Sequence, residues 1–192
     1  MKKIAVLAVQ GAFIEHCHKM ESLGCECVEL RQKADLEQAY DGLILPGGES
    51  TVQGKLLREL GMYNTIKQRI TDGMPTLGTC AGLILLAKKL RNDTNCYFGT
   101  LPVTVRRNAY GRQLGSFHTC EEVKEIGKVP MTFIRAPYIE SVKPQVEVLA
   151  EVEEKIVAVR YQNQIGLSFH PELDEDNRIP VSYTHLTLPT IF

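Results

Sequence analysis

Four short apolar runs in the first half of the chain constrain its fold more than any other feature: Lys3–Val9, Glu26–Leu30, Gly42–Leu45 and Pro75–Gly78. Most are close to unbroken rather than alternating, the pattern of a strand covered on both faces. Helical spacing fills the intervals at Ala12–Leu23, Thr51–Leu60 and Tyr63–Asp72, and a further helix is expected at Leu83–Leu90. This alternation predicts an α/β fold with a mostly parallel open sheet flanked by helices. The second half changes character. Leu101–Arg106, Leu114–Cys120, Thr132–Ile134, Val146–Val152, Lys155–Arg160 and Ile165–Phe169 are short runs rich in Val, Ile and Thr. The stretch from Val146 to Phe169 reads as a meander with turns near Glu153-Glu154 and Gln162-Asn163, so an antiparallel portion is added to the sheet. With 192 residues, one domain is expected, over residues 1–179.

Gly78-Thr79-Cys80-Ala81-Gly82 lies at one of these strand-to-helix junctions. The order small-x-nucleophile-x-small is that of a nucleophile elbow, with cysteine in place of serine. Glycines suit a cramped turn, and a helix start favours thiolate over thiol. A core cysteine ahead of a helix is the plainer alternative. A nucleophile needs a base, and the base an orienter. Of the five histidines, His16, His18, His118, His170 and His185, only His170 stands in a suggestive setting. A short apolar strand ends there, Pro171 stops strand pairing, and Glu172 lies two residues on, near enough to fold back on the imidazole. Taken alone, a strand-end histidine with a solvated glutamate is the plainer reading of that segment. A third segment, Leu45-Pro46-Gly47-Gly48-Glu49-Ser50, runs from a strand into a glycine-rich loop whose N–H groups could meet an oxyanion. An ordinary turn capped by Ser50 or Thr51 is the alternative there, and the lysine of a P-loop is missing.

Together, in this order, the three segments resemble the triad-type (class I) glutamine amidotransferases. Val9-Gln10-Gly11-Ala12 with Glu15-His16, the run from Arg107 to Gln113, and Phe133-Ile134-Arg135-Ala136-Pro137 narrow the likeness to glutaminase subunits of pyridoxal 5′-phosphate synthase. The resemblance spans about residues 1–179 and implies a class I glutamine amidotransferase-like fold. It implies Cys80, His170 and Glu172 as the catalytic triad, with Gly48 and Ala81 N–H groups at the oxyanion. It implies Gly47, Gly48, Glu49, Arg107, Ile134 and Arg135 as contacts to the substrate, L-glutamine. The implied partner is the synthase subunit in a hetero-oligomer, which joins ammonia to a pentose phosphate and glyceraldehyde 3-phosphate. No cofactor and no metal are implied. A glutaminase serving another synthase, such as imidazole glycerol phosphate synthase, is the alternative within the class; an unrelated cysteine hydrolase on a similar fold lies outside it.

Composition narrows the partners. The formal net charge is −1, which gives no electrostatic case for nucleic acid or an anionic membrane. No apolar run approaches the roughly 20 residues of a membrane span, and Ile4–Val9 is too short for a signal peptide. A cytoplasmic chain with six reduced cysteines is therefore expected. His16-Cys17-His18 and Cys25-Glu26-Cys27 do not have zinc spacing; Cys17 is read as core, and His16 or His18 as surface. Residues 180–192 carry two prolines and three threonines with no helical period evident. They are expected to be a foreign or out-of-frame terminus, or a disordered extension.

Overall fold

A computed structural model describes residues 1–107 and 116–186. Its strands run β1 (Lys3–Leu7), β2 (Glu26–Leu30), β3 (Gly42–Leu45), β4 (Thr76–Thr79), β5 (Ala87–Leu90) and β6 (Leu101–Arg106), then β7 (Ser116–Val123), β8 (Gly127–Ile134), β9 (Tyr138–Val142), β10 (Glu147–Val152), β11 (Lys155–Tyr161) and β12 (Gln164–Leu167). The helices are α1 (Phe13–Ser22), α2 (Ser50–Glu59), α3 (Tyr63–Thr71), α4 (Ala81–Leu86) and α5 (Arg178–Leu186).

Ten strands form one sheet in the order β2-β1-β3-β4-β12-β11-β9-β6-β5, with β10 beside β11, and β7 and β8 form a separate hairpin. From β2 to β12 every pairing is parallel. Beyond β12 it turns antiparallel through β11, β9 and β6. Successive residues of one strand feed opposite cores. Ala5 and Leu7 pack in one cluster with Leu43, Leu45 and Leu83, while Ile4 and Val6 pack in another with Ile44, Leu77 and Leu167. That two-sided burial is the reason the first strands read as apolar runs.

The expected α/β sheet with an antiparallel addition is present, and β10, β11 and β12 are the expected meander. Four details differ. The helix expected to Leu90 ends at Leu86; Ala87 takes extended backbone, with ψ 133°, and β5 pairs with β6. An apolar run shows where burial is, not where a helix stops. Tyr138–Val142 adds a strand that the sequence reading lacks. Cys17 and Cys27 form a disulfide rather than staying reduced. The chain turns back between α1 and β2, bringing their Cα atoms within 5.5 Å across one of the cores.

The fourth difference lies in the C-terminal stretch, where no helical period is evident in the sequence and Arg178–Leu186 is nevertheless an α-helix. Pro180 lies in the first turn of α5, where its missing N–H breaks no helical hydrogen bond. Tyr183 is fully buried and its hydroxyl donates toward the carbonyls of Leu43 and Pro75, at 3.0 and 3.1 Å. Ile179, Tyr183 and Leu186 supply an i, i+4, i+7 face. Residues 187–192 lie outside the described residues, as do Asn108–Gln113 of the motif that follows Arg107 and Leu114 of an expected strand.

Candidate active site

Open parallel sheets hold their chemistry at the carboxyl ends of the strands. Here the turn after β1, the Gly47-Gly48 loop after β3, Cys80 after β4 and His170 after β12 meet at that edge. The sulfur and the imidazole come from adjacent strands. Leu167 pairs with Thr79, and the Cys80 N–H donates to the Leu167 carbonyl at 2.8 Å. Cys80 has φ 53° and ψ −104°, a left-handed conformation that a non-glycine residue holds only where its surroundings impose it. Gly82 shows what imposes it: a Cβ there would lie 2.0 Å from the Leu45 carbonyl oxygen, so the start of α4 presses directly on β3. The thiol points to the Ile134 carbonyl, 3.9 Å away.

His170 follows β12, and its N–H donates to the Thr132 carbonyl of β8 at 2.9 Å. Pro171–Leu173 is a single 3₁₀ turn that folds Glu172 back. Imidazole Nδ1 lies 2.6 Å from Glu172 Oε1, both groups buried. A carboxylate accepts from Nδ1–H, which leaves Nε2 as the working nitrogen. Nε2 is buried and makes no aligned hydrogen bond. Burial lowers the His170 pKa, but the neighbouring Cys80, the Glu172 hydrogen bond and the Glu172 charge outweigh it and push it up to about 10. The ring therefore carries a proton at neutral pH. Burial raises the Glu172 pKa, yet His16 and His170 hold it below the usual carboxylate value.

His16 was expected at the surface, and it is buried. It lies on the inner face of α1 with Cys17 and Met20, and its Nε2 is 3.5 Å from Glu172 Oε2 and 3.1 Å from Thr79 Oγ1. Its place at i−4 from buried Met20 was the sequence signal for an inward direction.

A cleft of about 480 Å³ opens over the sulfur, lined by Gly48, Glu49, Ser50, Thr51, Cys80, Ala81, Ile84, Arg107, Arg135 and Pro137. That volume suits a small polar molecule. Gly47 lies beneath, against His170, and Ile134 presents its carbonyl to the thiol and an exposed side chain outward. Arg107 is half-buried, its guanidinium 3.2 Å from Tyr97 Oη, 3.4 Å from Thr51 Oγ1 and 3.8 Å from Asp93. The neighbouring Arg106 is exposed and does not line the cleft. Gln10 Oε1 accepts the Glu49 N–H at 2.8 Å, tying the loop after β1 to the loop after β3. Among the described residues no group of three or more His, Cys, Asp or Glu could hold a metal ion.

The model of the SNO glutamine amidotransferase family matches residues 6–184. The chain belongs to that family. As a SNO amidotransferase it is 65% identical over 177 residues to the pyridoxal 5′-phosphate synthase subunit PdxT of Desulfitobacterium hafniense (strain DSM 10664 / DCB-2), covering 92% of this chain and 89% of that protein. It is 57% identical to the PdxT of Haemophilus influenzae (strain PittEE), covering 89% and 91%. A solved glutamine amidotransferase superposes with a TM-score of 0.91 at 42% identity, covering 96% of this chain and 98% of that one. The Thermotoga maritima PurLQS structure shares the fold, with a TM-score of 0.71 at 18% identity and 96% and 98% coverage. No helix of this SNO amidotransferase, among the described residues, is long and apolar enough to cross a membrane.

Proposed function

We propose that the chain hydrolyses L-glutamine to L-glutamate and ammonia through Cys80, His170 and Glu172, and hands the ammonia to the synthase subunit of pyridoxal 5′-phosphate synthase. The observation that carries the reading is the 2.6 Å contact of His170 with Glu172 just past β12, the strand paired with β4, whose end carries Cys80 into a cleft lined by two arginines.

The Cys80 sulfur attacks the side-chain amide carbon. Backbone N–H groups of Gly48 and Ala81 receive the oxyanion. The carbon–nitrogen bond then breaks as protonated His170 gives its proton to the leaving nitrogen, releasing ammonia. The γ-glutamyl thioester remains. Water attacks it with His170, now neutral, as base, and glutamate leaves with the sulfur restored. An amide is a weak electrophile with a poor leaving group, so nucleophile, oxyanion site and proton donor are needed together. Arg107 and Arg135 bind the α-carboxylate, and Gly47, Gly48, Glu49 and Ile134 complete the pocket around the rest of glutamine.

Free ammonia protonates near neutral pH and loses its nucleophilicity, so release is useful only into a docked acceptor. The relatives named PdxT, at 65% and 57% identity, support the synthase subunit as that acceptor in a hetero-oligomer. Glutamate release is measured with and without that subunit, for wild type and Cys80→Ala. Release that depends on Cys80 and rises with the subunit is expected. Unchanged release in Cys80→Ala would sink the mechanism. Stimulation by an imidazole glycerol phosphate synthase instead would reassign the partner.

A further inference from the structure

The triad uses one oxygen of Glu172 and leaves the other to explain. Oε1 takes the His170 contact, while Oε2 is fully buried with no aligned hydrogen bond. A buried carboxylate oxygen without a donor is costly, and a carboxylate held at one oxygen can swing about its terminal torsion. The group facing Oε2 is His16 Nε2, at 3.5 Å, from a side chain only 3% exposed.

The charge state of His16 decides what this contact is. Burial lowers its pKa and protonated His170 lowers it further, against Glu172 and the nearby Glu15, which raise it; the outcome is a lowered value. His16 is then neutral at pH 7. Its attraction for Glu172 as a cation is an acid-side effect, and at neutral pH the contact is an N–H facing a carboxylate. Only the tautomer with the proton on Nε2 suits that geometry. The same nitrogen lies 3.1 Å from Thr79 Oγ1, a hydroxyl on the residue that precedes Cys80 that accepts when the proton is on Nε2. The spacing does not rest on His16 alone. One turn further along α1, Lys19 donates to the Asp174 carbonyl and, at 2.9 Å, to Asn177 Oδ1, which anchors α1 to the segment carrying Glu172.

We infer that His16 is a positioning residue of the triad, whose Nε2–H braces Glu172 Oε2 with Thr79 as second acceptor and so keeps Oε1 on His170. The inference rests on the triad reading given under Proposed function. His16 does not line the cleft over the sulfur, so its loss acts on turnover rather than on substrate affinity. Outer partners of an oriented histidine are typically worth about 10- to 100-fold.

The test compares His16→Leu and His16→Gln, each assembled with the synthase subunit. Glutamine places an amide N–H near the position of Nε2; leucine fills the space without a donor. His16→Leu is expected to lower kcat about 10- to 100-fold with KM within about threefold, and to raise the pH of half-maximal Cys80 alkylation by iodoacetamide. His16→Gln is expected to return kcat to within about threefold of wild type. A His16→Leu enzyme with wild-type kcat, a rise in KM alone, or equal losses in both variants would overturn the brace.

Should the leucine variant fail to fold, imidazole nitrogen shifts of the wild-type protein decide. The Nε2–H tautomer of His16 between pH 6 and 8 is expected, and the Nδ1–H tautomer refutes the inference. The tautomer is read without glutamine, so it stands apart from the catalytic reading. Full activity in Cys80→Ala would refute that reading and leave the tautomer result untouched.

Discussion

Replacing Gly47 by alanine tests how tightly the site is built. A Cβ at Gly47 would lie 2.4 Å from His170 Cε1 and 3.2 Å from Nδ1. Carbon atoms in ordinary contact are about 3.5–4 Å apart, so the ring must retreat by about 1 Å. Its other side is held by Glu172 at 2.6 Å, and retreat strains that hydrogen bond. The backbone at Gly47 is not left-handed, so alanine meets no left-handed strain there and the close contact falls on the imidazole. A misplacement of about 1 Å at a catalytic group costs roughly 100-fold, or about 2.7 kcal/mol of transition-state stabilisation. Overpacking costs a further 1–3 kcal/mol or so of stability, about 2–4 °C of Tm for each kcal/mol. The assay is steady-state glutamate release at saturating synthase subunit, with Tm measured on the same preparation. Because Gly47 is also proposed to contact glutamine, kcat and KM are read separately. A folded Gly47→Ala enzyme with kcat within about threefold of wild type would show that the loop, not His170, gives way, and would refute the reasoning.

Three further outcomes follow from the same contacts. Glu172→Gln should lower kcat by about 100- to 10,000-fold while leaving glutamine affinity little changed, since an amide does not enforce the Nδ1–H tautomer; a loss under tenfold in steady-state assays contradicts its role as orienter. His170 has a folded pKa of about 10, above its ordinary 6.5, so the folded chain binds that proton more tightly. Its stabilisation is complete below about pH 6.5 and lost as pH rises through about 10. The urea midpoint of wild type should therefore fall more steeply from pH 7 to 10 than that of His170→Asn, and parallel curves would refute the assignment. Tyr183→Phe removes the hydroxyl over the Leu43 and Pro75 carbonyls and should cost about 1–3 kcal/mol in urea unfolding; no loss would mean that α5 does not dock there.

The sequence made the parallel half of the sheet readable because β1, β3 and β4 are buried on both faces, and burial is written in consecutive residues. It made Cys80, His170 and Glu172 stand out as candidates because each sits at a break between an apolar run and a turn. What it hid depends on partners distant in the chain. Ala87-Lys88-Lys89-Leu90 follows directly on an apolar run and becomes a strand only because β6 pairs with it. His16 is one polar residue on a short helix, and its meaning comes from Glu172, which the chain supplies only after β12. Cys17 and Cys27 meet because α1 and β2 pack together, which no compartment argument foresees. In α5 the prolines and threonines distract from Ile179, Tyr183 and Leu186, which carry the docking face.

The placing of β12 between β4 and β11 has a consequence for the protein's birth on the ribosome. Cys80 emerges with the parallel half, while β12, the strand that leads to His170, is made after both of its neighbours and must slot between them. A nascent or prematurely terminated chain thus carries the thiol without the imidazole. On the proposed mechanism such a partial copy holds a sulfur with no proton donor beside it, and it would not split glutamine.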